Sequence, residues 1–182
     1  ELQAPAAALR DLDGEPGEPV LDAATLQEVL ALPARAAFER LLVPFLMRQR
    51  WFGRKSRVID SVSVSDFADL PDLGAALLLL DVRYAEGDRE SYFVPLVRVP
   101  IDRMLGMRDK HRDALLATCQ GGQGAFFDAA VDDGFCQWLL GVIERGERVR
   151  FEKGTLMGMP GRLAGTLRGD PGEVLPASRS TA

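Results

Sequence analysis

Apolar residues near the N-terminus first recur at helix spacing. One short helix is predicted from three apolar residues that lie a turn apart: Leu26, Val29 and Leu30. Either Asp22 or Thr25 could cap it, because their side-chain oxygens accept from free N–H groups of a first turn. A second helix is predicted from a further set on one helical face: Ala37, Phe38, Leu41, Leu42 and Phe45. Pro44 should kink or end this second helix, since proline lacks the backbone N–H.

The period changes to two after the second helix. Valines alternate with serines over 58–65, which predicts a half-buried strand. Two further strands are predicted over 75–84 and 89–99, and the four residues between them suit a hairpin loop. Pro95 indicates that the last of these strands lies at a sheet edge or carries a β-bulge, because proline cannot donate to a strand ladder.

The second half of the chain is less regular. Residues 101–113 are rich in charges and poor in apolar anchors, so a loop or surface excursion is predicted there. Short strands are predicted on either side of the GGQG turn, over 115–119 and 125–129.

The clearest helix is predicted over 131–145. Asp132 or Asp133 would cap it and Gly146 would end it. Its apolar face is formed by five residues: Phe135, Trp138, Leu139, Val142 and Ile143. Glycine and proline interrupt the chain after this helix, which predicts short strands and then a connector over 171–182.

Composition excludes several classes of function. The chain of 182 residues carries a net charge of −5, whereas nucleic-acid binding usually requires a basic domain. Cys119 and Cys136 form no CxxC pair and His111 is the one histidine, so no zinc site is expected. Two isolated cysteines are typical of free thiols in a reducing compartment, which favours a cytoplasmic location. The longest apolar run, over 75–80, is too short to span a membrane.

The decapeptide RQRWFGRKSR, over 48–57, is unlike the rest of the chain. Five of its ten residues are Arg or Lys, and they flank two aromatic residues and a glycine. One interpretation is a site for an anion or an acidic partner, because guanidinium groups bind carboxylates and phosphates. The other is a helix-to-strand corner, with both aromatic rings buried and the arginines paired with surface acids. The candidate residues are Arg48, Gln49, Arg50, Trp51, Phe52, Gly53, Lys55 and Arg57.

No catalytic, cofactor-binding or metal-binding residue is predicted in this chain. Lys153-Gly154-Thr155 lacks the spacing of a phosphate-binding loop. His111 has no serine or cysteine nucleophile motif around it, and no spaced pair of carboxylates indicates acid–base chemistry. The acidic residues at 132–133 are explained as helix caps.

Two longer stretches carry a family resemblance. They are LLVPFLMRQRWFGRKSRVIDSVSVSD, over 41–66, and LLLLDVRYAEGDRESYFVPLVRV, over 77–99. Together they resemble the N-terminal cap domain of bacterial maltokinases, closely over 38–100 and more loosely through the helix at 131–145. The residues that match the family pattern are Gln49, Arg50, Trp51, Phe52, Gly53, Lys55, Arg57, Tyr92, Phe93, Pro95 and Leu96.

The resemblance implies an α+β fold, with helices packed on a curved antiparallel sheet and followed by the start of a kinase N-lobe or intermediate subdomain. It divides the chain into a linker (1–20), a cap domain (21–100), an intermediate region (101–170) and a connector (171–182). It also places RQRWFGRKSR at the corner between the cap helix and the first strand. There Trp51 and Phe52 would anchor the core, Gly53 would make the turn, and the basic side chains would face acids or a neighbouring domain.

The resemblance also implies a parent enzyme. Maltokinases use ATP and Mg²⁺ to phosphorylate maltose at C1, with catalytic residues that follow the region covered here. The family's EQSNTS stretch and its lysine strand are not present, and Lys55 and Lys153 are no substitutes for that lysine. We therefore expect a fragment, also suggested by the absence of an initial methionine, that is catalytically inactive alone.

The expected partners are the kinase N-lobe and C-lobe of the parent protein. A trehalose synthase domain is a further possible partner, because the first 37 residues resemble the connector of trehalose synthase–maltokinase fusions. Two alternatives stay open from the sequence. One is a stand-alone interaction module that holds an acidic partner through the corner at 48–57, and the other is the cap of a related sugar or aminosugar kinase.

Overall fold

The computed structural model describes residues 18–23, 25–31 and 34–170 of the chain. The described helices are α1 (Leu26–Leu30), α2 (Ala34–Arg48), α3 (Ile101–Lys110), α4 (Asp133–Arg145) and α5 (Ala164–Arg168). The described strands are β1 (Val20–Leu21), β2 (Ile59–Leu70), β3 (Ala75–Tyr84), β4 (Arg89–Pro100), β5 (Leu115–Cys119), β6 (Gly124–Asp128), β7 (Arg148–Arg150) and β8 (Thr155–Met157).

Six strands form one strongly curled sheet in the order β1-β5-β6-β4-β3-β2. Every pairing in it is antiparallel except that of β1 with β5, and β7 and β8 form a separate antiparallel pair. Helices pack on this sheet, so the predicted α+β class with a curved antiparallel sheet is confirmed. The sheet runs without interruption from the predicted cap region into the strands that follow residue 100.

Alternating side chains divide the core into two layers. On the first face of the sheet, α1 and α2 cover Val62, Val64, Leu78, Leu80 and Val82. On the second face, α3, α4 and the β7–β8 pair cover a set that includes Ala68, Leu77, Val97 and Phe127. Because successive residues of a strand point to opposite faces, the apolar run of β3 contributes to both layers.

The N-terminal helices form as predicted. Thr25 is the cap of α1, and its Oγ1 accepts from the Glu28 N–H at 3.2 Å. Helix α2 continues past Pro44 to Arg48, so the expectation that Pro44 ends it is wrong. Proline removes the N–H that would bond the carbonyl of Arg40, but both residues are exposed and water can hydrate that carbonyl.

The predicted loop over 101–113 is wrong, because α3 occupies most of it. Met104 is its one buried residue, which explains why no apolar period was visible. Asp102 in the first turn and Lys110 in the last turn both interact favourably with the helix dipole. The favourable charges at both ends and one buried residue thus support a helix that the pattern of apolar and polar residues does not reveal.

The interpretation of Pro95 also needs correction. Strand β4 is internal, and its register with β3 is continuous through the Leu77–Pro95 pair, without a bulge. Pairing of β4 with β6 begins only at Leu96. Proline is tolerated because, among the described strands, none pairs with the other side of β4 at this residue.

The last described part of the chain follows the prediction closely. Asp132 caps α4 by accepting from the Phe135 N–H at 2.9 Å, and Gly146 ends it with a φ of 64°. Four of the five predicted face residues are buried or half-buried, and Ile143 is exposed. The predicted short strands after this helix are β7 and β8, and α5 follows them. The predicted connector over 171–182, and the linker over 1–20 up to residue 17, lie outside the described residues.

None of the described helices combines the length and the apolar character needed to cross a bilayer.

Candidate functional site

The decapeptide over 48–57 begins at the last residue of α2 and ends two residues before β2. We call this segment the corner. Arg48 donates through Nη2 to the Leu115 carbonyl at 2.9 Å. Gln49 is only 5% exposed, and its Nε2 donates to the carbonyls of Phe45 at 3.2 Å and Asp113 at 2.7 Å. The first two residues of the corner therefore tie the end of α2 to the segment that enters β5.

The two aromatic residues of the corner have different surroundings. Phe52 is 1% exposed and lies 5.1 Å from the Tyr92 ring, so its predicted place in the core is confirmed. Trp51 is 45% exposed, so the prediction that it is buried is wrong. Its ring contacts Phe52 edge-on at 6.5 Å between centroids, and its Nε1 donates to Asp128 Oδ2 at 3.2 Å. A ring that packs on one side and donates from its edge stays at the surface.

Asp128 is a buried carboxylate at the end of β6. Its Oδ1 accepts from the Ala130 N–H at 2.9 Å and so caps a single 3-10 turn, while Oδ2 accepts from Trp51. Burial raises the pKa of Asp128, and the two hydrogen bonds act in the opposite direction. The corner thus completes the hydrogen bonding of a carboxylate on a distant strand.

The arginines of the corner pair with acids of the β3–β4 hairpin. Arg54 Nε lies 2.9 Å from Glu90 Oε1, and Arg57 Nη2 lies 3.1 Å from Glu86 and 2.7 Å from Asp88. The Arg57 guanidinium also lies over the Tyr84 ring, 4.1 Å from its centroid. For Arg54 and Arg57 these contacts agree with the prediction that the basic side chains face acids, whereas Arg48 donates to a backbone carbonyl.

A cluster of one carboxylate and two phenols lies beneath these ion pairs. Glu90 Oε2 accepts from Tyr92 at 2.6 Å and from Tyr84 at 3.0 Å, and the two hydroxyls are 3.1 Å apart. The hydrogen bond from Tyr92 is the main cause that lowers the pKa of Glu90. Burial and then the contact with Glu90 raise the pKa of Tyr92. Glu90 therefore stays ionised as an acceptor, and both tyrosines stay neutral donors.

The remaining members of the corner lie at the surface. Arg50 and Lys55 are exposed. Gly53 lies in the turn as predicted, but its φ is not positive and a Cβ there would meet nothing within 4 Å. The turn therefore does not require glycine, and the predicted role of Gly53 as the residue that makes the turn is not supported by its geometry.

The corner connects three parts of the fold. Its inward polar groups reach three places: the start of β5, the end of β6 and the β3–β4 hairpin. Among residues 18–23, 25–31 and 34–170, no group of three or more His, Cys, Asp or Glu side chains could hold a metal ion. Neither cysteine is in a disulfide: Cys119 is buried, and Cys136 is half-buried with its Sγ 3.4 Å from the Ala130 carbonyl.

Sequence reasoning missed the cluster of Tyr84, Glu90 and Tyr92 and the buried Asp128. A signal was available for the first three, because the even-numbered positions on either side of a four-residue hairpin loop share one face. Asp128 carried no signal, since its contact with Trp51 joins residues 77 apart in the chain.

Comparison with known families gives one match. Residues 45–132 match the family described as the maltokinase N-terminal cap domain. The matched range begins within α2, contains the corner and β2 to β6, and ends at the cap of α4. No curated protein matches the chain.

Proposed function

We propose that this chain, in which residues 45–132 form a maltokinase N-terminal cap domain, is the non-catalytic N-terminal portion of a larger maltokinase. One observation carries the proposal beyond the family match. Six side chains of the corner make contacts that hold the fold together: Arg48, Gln49, Trp51, Phe52, Arg54 and Arg57. A motif engaged in this way serves a rigid module, and the chemistry belongs elsewhere in the parent protein.

The described residues do not fit the nucleotide or the metal ion of a kinase. Lys153 Nζ donates to the Ser65 carbonyl at 2.6 Å, and its backbone N–H contacts Asp66. Lys55 lies exposed on the corner, with no acidic cluster that could hold Mg²⁺ among the described residues. We therefore place ATP and Mg²⁺ in the kinase lobes of the parent and assign no step of phosphoryl transfer to this chain.

In this proposal the parent phosphorylates maltose, and the cap is a preformed support for the kinase lobes. A fusion with trehalose synthase would add that domain as a second neighbour. The support for a rigid role is the number of separate strands that the corner joins. A preformed module loses little conformational freedom when a neighbouring domain docks on it.

The test uses the full-length parent protein. We expect the isolated 182-residue chain to transfer no phosphate from ATP to maltose, and the parent to do so. Deleting residues 38–100 from the parent should lower its thermal midpoint or its kinase rate, measured together with assembly by light scattering. An unchanged midpoint, assembly state and rate would overturn the proposed supporting role. A parent that phosphorylates an aminosugar and not maltose would leave the role intact and change the substrate.

The corner itself is not a good site for an acidic partner. Arg54 and Arg57 already hold the hairpin acids Glu90, Glu86 and Asp88 within 3.1 Å. An incoming carboxylate would have to displace these contacts. If this chain holds an acidic partner, the arginines that bind it lie elsewhere on the sheet.

A further inference from the structure

On the first face of the sheet α1 and α2 pack on a buried cluster, whereas the described elements cover the second face only in part. On the second face, strands β2, β3 and β4 align their side chains in cross-strand rows. The row of Ala68, Leu77 and Pro95 packs under the neighbouring elements, and Leu77 in its centre is fully buried. In the next row the Lys153 N–H still reaches Asp66 at 3.1 Å, but Leu79 and Phe93 are exposed. Beyond it the face opens towards the β3–β4 hairpin.

Three rows make up this open face. The first consists of Asp66, Leu79 and Phe93, the second of Ser63, Asp81 and Ser91, and the third of Ser61, Arg83 and Arg89. Leu79 is 36% exposed and Phe93 is 40% exposed, and the two face each other directly across β3 and β4. The open face therefore has an apolar end next to the buried core and a basic end at the hairpin.

The basic end brings two like charges together. Arg83 and Arg89 are direct partners in the register of β3 and β4, and directly opposed like charges destabilise a strand pair. Within the described residues neither guanidinium has an acidic oxygen within 4 Å or makes a hydrogen bond. Asp81 shares the face, but its carboxylate accepts from Ser91 at 3.1 Å. These two arginines contrast with Arg54 and Arg57, which are paired with acids.

The distance between the apolar end and the basic end of the open face sets the spacing of the groups that a ligand must carry. From Leu79 to Arg83 the strand advances four residues, or about 13 Å at 3.3 Å per residue. A shallow hollow lies at the basic end, lined by Ser61, Ser63, Asp81, Val82, Arg83 and Arg89. A carboxylate placed there could accept from two guanidinium groups and from the Ser63 hydroxyl, while an apolar side chain about 13 Å away covers Leu79 and Phe93.

We propose that the open face is a docking site for an acidic segment of a protein partner. The segment carries an apolar side chain for the Leu79–Phe93 pair and one or two carboxylates for Arg83 and Arg89. In extended conformation these groups are four residues apart. The carboxylates relieve the repulsion between the two arginines, so charge complementarity selects this partner over a neutral or basic one.

The experiment uses the whole chain and a synthetic peptide. The probe has one leucine followed, four residues later, by two glutamates in a glycine–serine background. Its control replaces both glutamates by glutamines. Titration followed by nuclear magnetic resonance should shift the Leu79 methyl and the Nε–H signals of Arg83 and Arg89. We expect the glutamine peptide to bind roughly tenfold more weakly, as for loss of charge-assisted hydrogen bonds, and added salt to weaken the glutamate peptide.

Variants of the chain separate this site from general attraction. The double substitution Arg83→Gln and Arg89→Gln should weaken the glutamate peptide roughly tenfold. Lys110→Gln removes an exposed charge at the end of α3 and should leave peptide binding unchanged. Because the two arginines repel each other in the free chain, the double variant should keep or raise its thermal midpoint, so a loss of binding is not a loss of folding.

Several results would overturn the proposal. They are shifts that map to another surface, equal binding of the glutamate and glutamine peptides, no shift at millimolar peptide, and an effect of Lys110→Gln equal to that of the double variant. Shifts of the open face on concentrating the chain alone would instead identify a second copy as the occupant. All of these readouts are independent of kinase activity, so they stand apart from the test of the proposed function.

Discussion

Of the two adjacent aromatic residues in the corner, Phe52 should contribute more to stability than Trp51. Phe52 is 1% exposed, and removing a buried phenylalanine ring typically costs about 3–5 kcal/mol. Trp51 is 45% exposed, so about half of that range applies to its packing, with about 1 kcal/mol more for its hydrogen bond to Asp128. We expect about 3–5 kcal/mol for Phe52→Ala and about 2.5–3.5 kcal/mol for Trp51→Ala.

Trp51→Phe divides the tryptophan contribution into its two parts. It keeps an aromatic ring over Phe52 but removes the donor to Asp128, so we expect a loss of about 1 kcal/mol. Urea denaturation followed by circular dichroism measures all three variants, with an unchanged slope as the sign that only stability has altered. The reasoning is refuted if Trp51→Ala costs more than Phe52→Ala, or if Phe52→Ala costs less than about 1 kcal/mol.

Three further predictions follow from contacts outside the rings. Burial raises the pKa of Asp128 in the folded chain, so the free energy of unfolding should fall as pH rises from about 3.9, the pKa of an unfolded aspartate, to the raised value. In Asp128→Asn the free energy of unfolding, measured with urea, should depend less on pH in this window, and an unchanged pH dependence contradicts the prediction. A Cβ on Gly158 would overlap the backbone of α4, so Gly158→Ala should lower the free energy of unfolding by about 3 kcal/mol, measured by thermal unfolding. A Cβ on Gly161 would meet nothing within 4 Å, so Gly161→Ala should cost little, and equal losses in the two variants contradict the prediction. Glu39 accepts from the outward N–H of Val64 at 2.8 Å and so protects edge strand β2 from pairing with another chain. Glu39→Ala should lower the free energy of unfolding by about 1 kcal/mol and increase concentration-dependent association in light scattering, and a variant that stays monodisperse contradicts the protective role.

The elements with a strong period were predictable from the sequence, and those held by few contacts were not. The strand at 75–84 has the predicted bounds, and the helix at 131–145 begins two residues later than predicted, because an apolar face and clear caps specify each. Helix α3 has one buried side chain, so no period identified it. Pro44 misled for a related reason: a proline in an exposed helical face leaves only an exposed carbonyl without its donor.

The corner was recognisable from the sequence as a unit, but the different surroundings of its two aromatic residues were not. Sequence order places Trp51 and Phe52 together, whereas their exposure depends on which ring points under Tyr92 and which reaches Asp128. Those partners come from β4 and β6, so only the register of the sheet decides the outcome. The acidic partners of Arg54 and Arg57 were predicted as a class, and the hairpin supplied the particular residues.

The open face shows how an exposed apolar residue acquires meaning from its strand. The run at 75–80 indicates burial on both faces of the sheet, and that holds as far as Leu78. Leu79 is the next residue on the second face and is still apolar, but the described elements no longer cover it. Its partner on β4, Phe93, is also apolar and exposed. The serines of β2 lie on the same face, so the fold tolerates polar residues there. A polar pair in place of Leu79 and Phe93 would be more soluble. The apolar pair, on the same face as two opposed arginines, is what the proposed docking site would use.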